Sequence, residues 1–321
     1  MRRGRFAPTP SGPMHIGNAF TALLAWLQMR HASGTFVLRI EDIDGPRSRP
    51  EYTQLIVEDL TWMGLDWDEG PATGGLYGSY LQSQRLELYE QAVRRLERSG
   101  RLYPCYCSRA ELAAIASAPH GLASEGAVYP GLCKVLSEED RARKAQLKPP
   151  SLRVAVPERS FSFADGMAGV QHVLPGALGD FVVKRADGQF SYQLAVVVDD
   201  AAMEITDVLR GADLLDSTPR QLLLYELLEA APPSFCHVPL LCGPEGGRLS
   251  KRDRSLSLAT LRAAGIPPER LIGHLAYAAG LLDRPEPAKA AELVPLFTLE
   301  RLSGQRIALS RETLGLLTAS A

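Results

Sequence analysis

Two segments far apart in the chain carry residue types suited to phosphate chemistry. The run Pro8-Thr9-Pro10-Ser11-Gly12-Pro13 leads into His15-Ile16-Gly17-Asn18, and Arg248-Leu249-Ser250-Lys251-Arg252 follows Gly246-Gly247. The first puts a Gly/Pro turn and an imidazole at the start of an apolar stretch of helical period, Ala19 to Ala32. Unpaired N–H groups at a helix start form an anion site, and a lysine on a loop can close over a polyphosphate. Gly12 and Gly17 allow close approach of backbone and nucleotide. Activating a carboxylate with ATP needs no side-chain nucleophile. It needs in-line reactants and donors for the charge that grows on the phosphate oxygens, and His15 and Lys251 are groups of that kind. Each segment alone is better read as an ordinary turn or solvated loop; together they point to a site acting at a phosphate of ATP.

A second constellation is Cys105-Tyr106-Cys107 followed by Tyr129-Pro130-Gly131-Leu132-Cys133. Three thiolates are the start of a tetrahedral zinc site. His120 is the chemically ordinary fourth ligand. Tyr129 is the less usual one, since its phenol must lose a proton near pKa ~10, which a metal can bring about. Cys236 and Cys242, flanking an expected strand at 237–241, read as core residues.

The elements that must position these groups alternate. A short strand is expected at 5–7, a helix at 15–32, a buried strand at 35–41, and helices at 50–63 and 82–99, the last stopped by Gly100. Such alternation favours a parallel α/β sheet. Residues 103–150 break the rhythm with three cysteines, a Gly/Ala/Ser-rich stretch near 116–127 and a charged helix at 138–146; Pro149-Pro150 closes them. Residues 151–212 read as strands, with a hairpin turn at Asp187-Gly188 and a buried strand from Leu194 to Val198. Ser217-Thr218-Pro219 opens a helix through Glu229, and the tail from Leu256 reads as two or three short helices. The expected division is 1–102, first half of an α/β domain; 103–150, a metal-binding insertion; 151–255, the second half with the lysine loop; and 256–321, a short helical region.

The 321 residues are 45% hydrophobic and 22% charged, as in an ordinary globular core. No apolar run approaches the ~18 residues of a membrane span and no signal-peptide pattern is present, so a cytoplasmic protein without membrane association is expected. Five cysteines argue against a disulfide scaffold, and a net charge of −2 announces no general nucleic-acid binder. Arg94, Arg95, Arg98 and Arg101, and Arg47 with Arg49, are basic groups best read as solvated faces.

Taken jointly, the first two segments resemble the HIGH and KMSKS signatures of class I aminoacyl-tRNA synthetases, with Asn18 in place of the last His and Arg248 in place of the first Lys. Arg5-Phe6-Ala7-Pro8-Thr9-Pro10-Ser11-Gly12, Leu38-Arg39-Ile40-Glu41-Asp42-Ile43-Asp44 and Val208-Leu209-Arg210-Gly211-Ala212-Asp213-Leu214-Leu215 resemble the glutamyl-tRNA synthetase branch over about residues 4 to 260. The resemblance implies a Rossmann-type catalytic domain with a zinc-containing insertion. It implies a glutamate site formed by Arg5, Phe6, Ala7, Pro8, Thr9, Glu41, Tyr192 and Arg210, with Glu41 facing the substrate ammonium. It implies an ATP site, with Mg²⁺, at Gly12, His15, Gly17, Asn18, Ser250 and Lys251. It also implies structural zinc on Cys105, Cys107, Tyr129 and Cys133, which favours Tyr129 over His120.

The chain ends soon after the lysine loop, where a full glutamyl-tRNA synthetase carries a helical anticodon-binding region. This length and the metal signature are similar to the glutamyl-queuosine tRNA(Asp) synthetases. That resemblance implies activation of L-glutamate by ATP without tRNA, then transfer to queuosine in the anticodon loop of tRNA(Asp), by a monomer. The alternatives are an atypical short synthetase charging the tRNA 3′ end, a nucleotidyltransferase acting on a small metabolite, and a non-catalytic synthetase paralogue.

Overall fold

The computed structural model describes residues 1–108, 110–112, 128–247, 256–302, 304 and 306–318. Strand β1 (Arg3–Phe6) runs into helix α1 (Ile16–His31), which returns to β2 (Thr35–Leu38). Helices α2 (Pro50–Trp62) and α3 (Leu86–Arg98) follow. Next come β3 (Leu102–Cys105), α4 (Glu138–Leu147), β4 (Ser151–Val154), β5 (Phe161–Asp165), β6 (Gly169–Val173) and β7 (Phe181–Lys184). The chain continues through α5 (Tyr192–Ala202), β8 (Asp207–Gly211), α6 (Thr218–Leu227), β9 (Ser234–Val238) and β10 (Leu240–Cys242).

The main sheet has the order β2-β1-β8-β9-β5-β6. Its first five strands are mutually parallel, and β6 is an antiparallel edge paired with β5. The expected parallel sheet is therefore found with a hairpin added at one margin. Strand order reverses between β1 and β8, since β1 leads outward to β2 and β8 leads the other way to β9. A crevice opens at the carboxyl ends of strands where such a reversal occurs. A second, antiparallel sheet has the order β3-β4-β7.

Helix α1 is apolar almost all round and correspondingly central: Ile16, Phe20, Leu23, Leu24, Trp26, Leu27 and Met29 are all buried. It lies close on β1 because residue 4 is glycine; a Cβ there would fall 2.7 Å from the Met29 sulfur. This packing fixes the helix N-terminus beside the end of β1, where the phosphate-suited residues sit.

Three sequence expectations are corrected. The apolar run Leu194 to Val198 is not a strand; it is the middle of α5, buried on all sides. Ser191 caps that helix by accepting from the Leu194 N–H at 3.3 Å, and a short, continuously apolar run does not by its pattern separate a strand from a buried helix. The turn at Asp187-Gly188 forms, with Gly188 N–H donating to Arg185 O at 3.0 Å. Its return arm, however, contributes only one bridge, Lys184 to Phe190, before the cap begins. Residues 82–99 split into a 3₁₀ turn at Gln82–Gln84 and then α3.

The tail holds α7 (Leu258–Ala263), α8 (Pro268–Ala278), α9 (Ala290–Leu293) and α10 (Arg311–Thr318). It adds an unexpected strand, β11 (Arg306–Ala308), parallel to β10. Among the described residues no helix is long and apolar enough to cross a membrane.

Candidate active site and metal centre

A cleft of about 650 Å³ opens where β1 and β8 end and α1 begins. Arg5, Phe6, Ala7, Pro8 and Thr9 form one wall, and Glu41, Tyr192 and Arg210 another. Gly12, His15, Gly17 and Asn18 border it at the helix start. The sequence-selected residues from 5 to 18, 41, 192 and 210 are thus brought to one place. Ser250 and Lys251, like Arg248, lie outside the described residues. The chain on either side of them reaches the cleft: Leu240 and Leu241 line it, and Ser257 bridges His15 while Leu258 N–H donates to Met14 O at 2.9 Å.

His15 is the N-cap of α1. Its backbone is extended, and its Nδ1 accepts the Gly17 N–H at 3.1 Å, while its own N–H donates to Asn18 Oδ1 at 3.2 Å. With Nδ1 used as an acceptor, the imidazole proton resides on Nε2. Glycine is required at 17 because a Cβ would fall 2.9 Å from His15 Cε1; at Gly12 a Cβ would meet only open space. The cap therefore fixes both the ring and its tautomer at the positive end of a 16-residue helix.

At the other end of the cleft is a buried charge cluster. Arg5 is held by Asp200 through two contacts of 3.3 Å. Arg39, 0% exposed, donates to Asp200 at 2.6 Å and to Glu41 at 3.2 Å. Burial would lower the pKa of Arg39, but Asp200, Asp199 and Glu41 outweigh it and raise it. Burial also raises Glu41, against the pull of Arg39 and Arg5, and it raises the partly buried Tyr192 phenol. Deeper still, Asp199 accepts from Arg85 Nε at 2.6 Å, Gln82 at 2.8 Å and Tyr89 at 2.9 Å. Arg5, Arg210, Glu41 and Asp213 line the cleft itself, with the Arg39–Asp200 pair packed behind Arg5 and Glu41.

The sequence reading missed Asp199 and Asp200 because it took their neighbours as a strand. Two adjacent acids ending an apolar run were the signal, since buried carboxylates need cationic partners. Arg39 stood inside a quoted motif but was given no role.

The cysteines also converge. Cys107 Sγ lies 3.6 Å from Cys133 Sγ and 3.2 Å from the Tyr129 hydroxyl, which is 3.5 Å from Cys105 Sγ. All three sulfurs lie within 4.8 Å of one another. Zn–S bonds of ~2.3 Å at tetrahedral angles imply S···S edges of about 3.8 Å, so the set fits a metal of that size. Burial pushes the Cys107 thiol up to about 12, reinforced by its thiol neighbours. At Cys105 burial is outweighed by donors that include Tyr129 and Arg153, which bring it down to about 7. The Arg153 guanidinium stacks 3.9 Å from the Tyr129 ring centre. His120 lies outside the described residues. Cys236 and Cys242 are buried on β9 and β10.

The arginine groups behave as surface charges. Arg95 pairs with Glu229 at 2.5 Å and Arg47 with Asp44 at 3.5 Å, while Arg94 and Arg98 line an open surface depression on α3.

Residues 2–314 match the family model of class I tRNA synthetases (E and Q), catalytic domain. The chain is 60% identical to a glutamyl-Q tRNA(Asp) synthetase of Symbiobacterium thermophilum, over 98% of both chains, and 48% identical to one of Nitratidesulfovibrio vulgaris, over 94% of both. A glutamate-tRNA synthetase structure from Elizabethkingia anophelis superposes with a TM-score of 0.86 at 30% identity, covering 98% of this chain and 69% of that one. With this cleft, this sheet order and these relatives, the chain belongs to the glutamyl-Q tRNA(Asp) synthetases, within the class I (E and Q) catalytic-domain family.

Proposed function

We propose that the chain activates L-glutamate with ATP in this cleft, without tRNA, and transfers the glutamyl group to queuosine in the anticodon loop of tRNA(Asp). The observation that carries the reading is the meeting of two unlike half-sites in one crevice: a buried cluster of guanidiniums and carboxylates, and the N-terminus of α1 with its His15 cap. Glutamate bears one net negative charge and an ammonium. Arg5 and Arg210 suit its carboxylates, Glu41 suits the ammonium, and Tyr192 and the 6–9 backbone bound the chain.

In the first step a glutamate carboxylate oxygen attacks the α-phosphorus of ATP. The P–O bond to the leaving group breaks, and pyrophosphate departs with the electron pair. His15, donating from Nε2, and Lys251 stabilise the phosphate oxygens. Gly12, Gly17, Asn18 and Ser250 shape the nucleotide site, with Mg²⁺ accompanying ATP. In the second step a hydroxyl of the queuosine cyclopentenediol attacks the acyl carbon, AMP leaves, and the adenylate phosphate takes the hydroxyl proton. Both steps rest on alignment and electrostatics.

Cys105, Cys107, Cys133 and Tyr129 would hold one zinc ion, which supplies a cross-link rather than chemistry. It ties the end of β3 to the segment at 129–133. The boundaries at 102, 150 and 255 are proposed as the limits of the first half-domain, the metal-binding insertion and the second half-domain.

The test is ATP–pyrophosphate exchange with glutamate in the absence of tRNA, followed by glutamate transfer to tRNA(Asp) with and without queuosine. Exchange without tRNA, and acceptance that disappears when queuosine is absent, are expected. Acceptance that depends instead on an intact tRNA 3′ end would favour the 3′-charging alternative. No exchange with any amino acid would overturn the enzymatic reading.

A further inference from the structure

Arg210 is held by a chain of contacts that reaches away from the cleft. Arg210 and His237 are in register on the neighbouring parallel strands β8 and β9, so their side chains share a face. Arg210 Nε donates to His237 Nε2 at 2.8 Å, and Arg210 Nη2 donates to Thr218 Oγ1 at 2.9 Å and Leu214 O at 3.3 Å. Thr218 Oγ1 lies 3.2 Å from the same His237 Nε2. On the opposite edge of the ring, His237 Nδ1 lies 2.6 Å from Asp165 Oδ2, at the end of β5. Asp165 Oδ1 is fixed in turn by the backbone N–H groups of Ala168, Met167 and His237.

These contacts allow one assignment of protons. A guanidinium can only donate, so Nε2 must be the accepting nitrogen. The ring proton is then on Nδ1, donated to Asp165. Burial lowers the His237 pKa, and the Arg210 charge adds to this against Asp165. Asp165 is held down at about 2 by its donors in spite of burial. A neutral imidazole with an ionised carboxylate behind it agrees with the geometry. The remaining terminal nitrogen of Arg210, Nη1, is buried and finds no hydrogen-bond partner among the described residues, although Arg210 lines the cleft. A buried charged donor without an acceptor is costly, and a carboxylate arriving in the cleft would satisfy it.

We propose that Asp165 and His237 are positioning residues for substrate-carboxylate recognition: by fixing the imidazole as an acceptor for Arg210 Nε they orient the guanidinium so that Nη1 is presented to a glutamate carboxylate. This rests on the reading that Arg210 binds that carboxylate. Neither residue touches the cleft, so their effect passes through Arg210. Thr218 assists by accepting from Nη2 and sharing the same imidazole nitrogen.

The experiment compares His237→Leu, His237→Gln and Arg210→Lys in glutamate-dependent ATP–pyrophosphate exchange, with KM measured separately for glutamate and ATP. His237→Leu removes the acceptor and is expected to raise the glutamate KM on the order of ten- to hundredfold with the ATP KM unchanged. In His237→Gln the amide oxygen can accept from Arg210 while the amide nitrogen donates to Asp165, so most of the loss is recovered. If His237→Leu leaves the glutamate KM as it was, or raises both KM values alike, the positioning role is overturned. If Arg210→Lys leaves the glutamate KM unchanged, it is instead the assignment of Arg210 that fails. A second measurement needs no variant: ¹⁵N-histidine NMR of the intact protein should show His237 as the Nδ1–H tautomer from pH 6 to 8. An Nε2–H ring or an imidazolium there would contradict the proposal even if the leucine variant failed to fold.

Discussion

Arg39 and Asp200 meet at 2.6 Å with essentially no solvent exposure, and through this contact the floor of the cleft is held together. Arg39 also reaches Glu41 at 3.2 Å and lies 3.7 Å from Asp199, so one side chain compensates three buried carboxylates. Replacing Arg39 with Met removes the guanidinium that Glu41 hydrogen-bonds and leaves Asp200 to Arg5 and Asp199 to Arg85. Removing one partner of a buried ion pair costs about 3–5 kcal/mol, and that loss is the expectation for Arg39→Met in equilibrium urea unfolding. An unchanged midpoint would show that Arg5 and Arg85 suffice to compensate the acids.

Glu41 lines the cleft and is hydrogen-bonded by Arg39, whereas Asp200 behind it is bound by both Arg39 and Arg5. Glu41→Gln keeps the shape but removes the charge opposite the substrate ammonium. A charge-assisted hydrogen bond contributes about 1.5–3 kcal/mol, so the glutamate KM in pyrophosphate exchange should rise by roughly ten- to hundredfold while the ATP KM holds. A parallel rise in the ATP KM would move Glu41 out of the amino-acid site.

Much of this site was legible because its residues sit in short contiguous segments. The run from Arg5 to Asn18 places a strand end, a turn and a helix cap within fourteen positions of sequence, and the Cys-x-Cys and Tyr-x-x-x-Cys spacings fix ligand proximity directly. What stayed hidden depends on tertiary pairing. Asp199 and Asp200 lie at the end of an apolar run whose pattern suits a strand as well as a buried helix, and only the Ser191 cap and partners such as Arg5 on β1, Arg39 just after β2 and Arg85 just before α3 decide the matter. Asp165 and His237 are 72 residues apart and are joined by parallel strand pairing; no local spacing announces such a contact. The strand at Arg306–Ala308 was missed because three residues of unremarkable type become a strand only through β10.

Asp59, on α2, is fully buried, and both its oxygens lack a hydrogen-bond partner among the described residues although Arg262 Nε of α7 lies 3.4 Å away. Burial raises its pKa to about 7, with Arg262 opposing and Glu58 assisting. A carboxyl whose folded pKa lies above its unfolded value contributes stability that is complete below about pH 4 and lost as pH rises to about 7. Asp59→Asn keeps the shape without the charge. The stability of the native chain relative to this variant should therefore fall between pH 4 and 7, by at most ~1.4 kcal/mol per pH unit. Equal pH slopes for the two proteins in urea unfolding would place the titration elsewhere.

The proposed zinc centre predicts about one zinc per chain by elemental analysis. Cys107→Ser should abolish retention, because structural sites require their full ligand set. Tyr129→Phe should weaken retention while keeping the ring under Arg153. Chelation should then lower the thermal midpoint of the native chain and leave that of Cys107→Ser unmoved. Full zinc retention in Tyr129→Phe would remove Tyr129 from the ligand set.

His15 does two things at once, and substitution can separate them. As N-cap it accepts the Gly17 N–H, and it lines the cleft, where it is proposed to donate from Nε2. His15→Ala should lose both, costing about 1 kcal/mol of stability and on the order of 10²–10³ in the rate of pyrophosphate exchange, the usual loss for one donor to a developing oxyanion. Asparagine is among the best N-caps but is too short to bring a donor to the same point. His15→Asn should therefore recover the thermal midpoint without recovering exchange. If asparagine restored both together, the imidazole would be a cap and nothing more, and the phosphate charge would have to be met by the helix terminus and Lys251 alone.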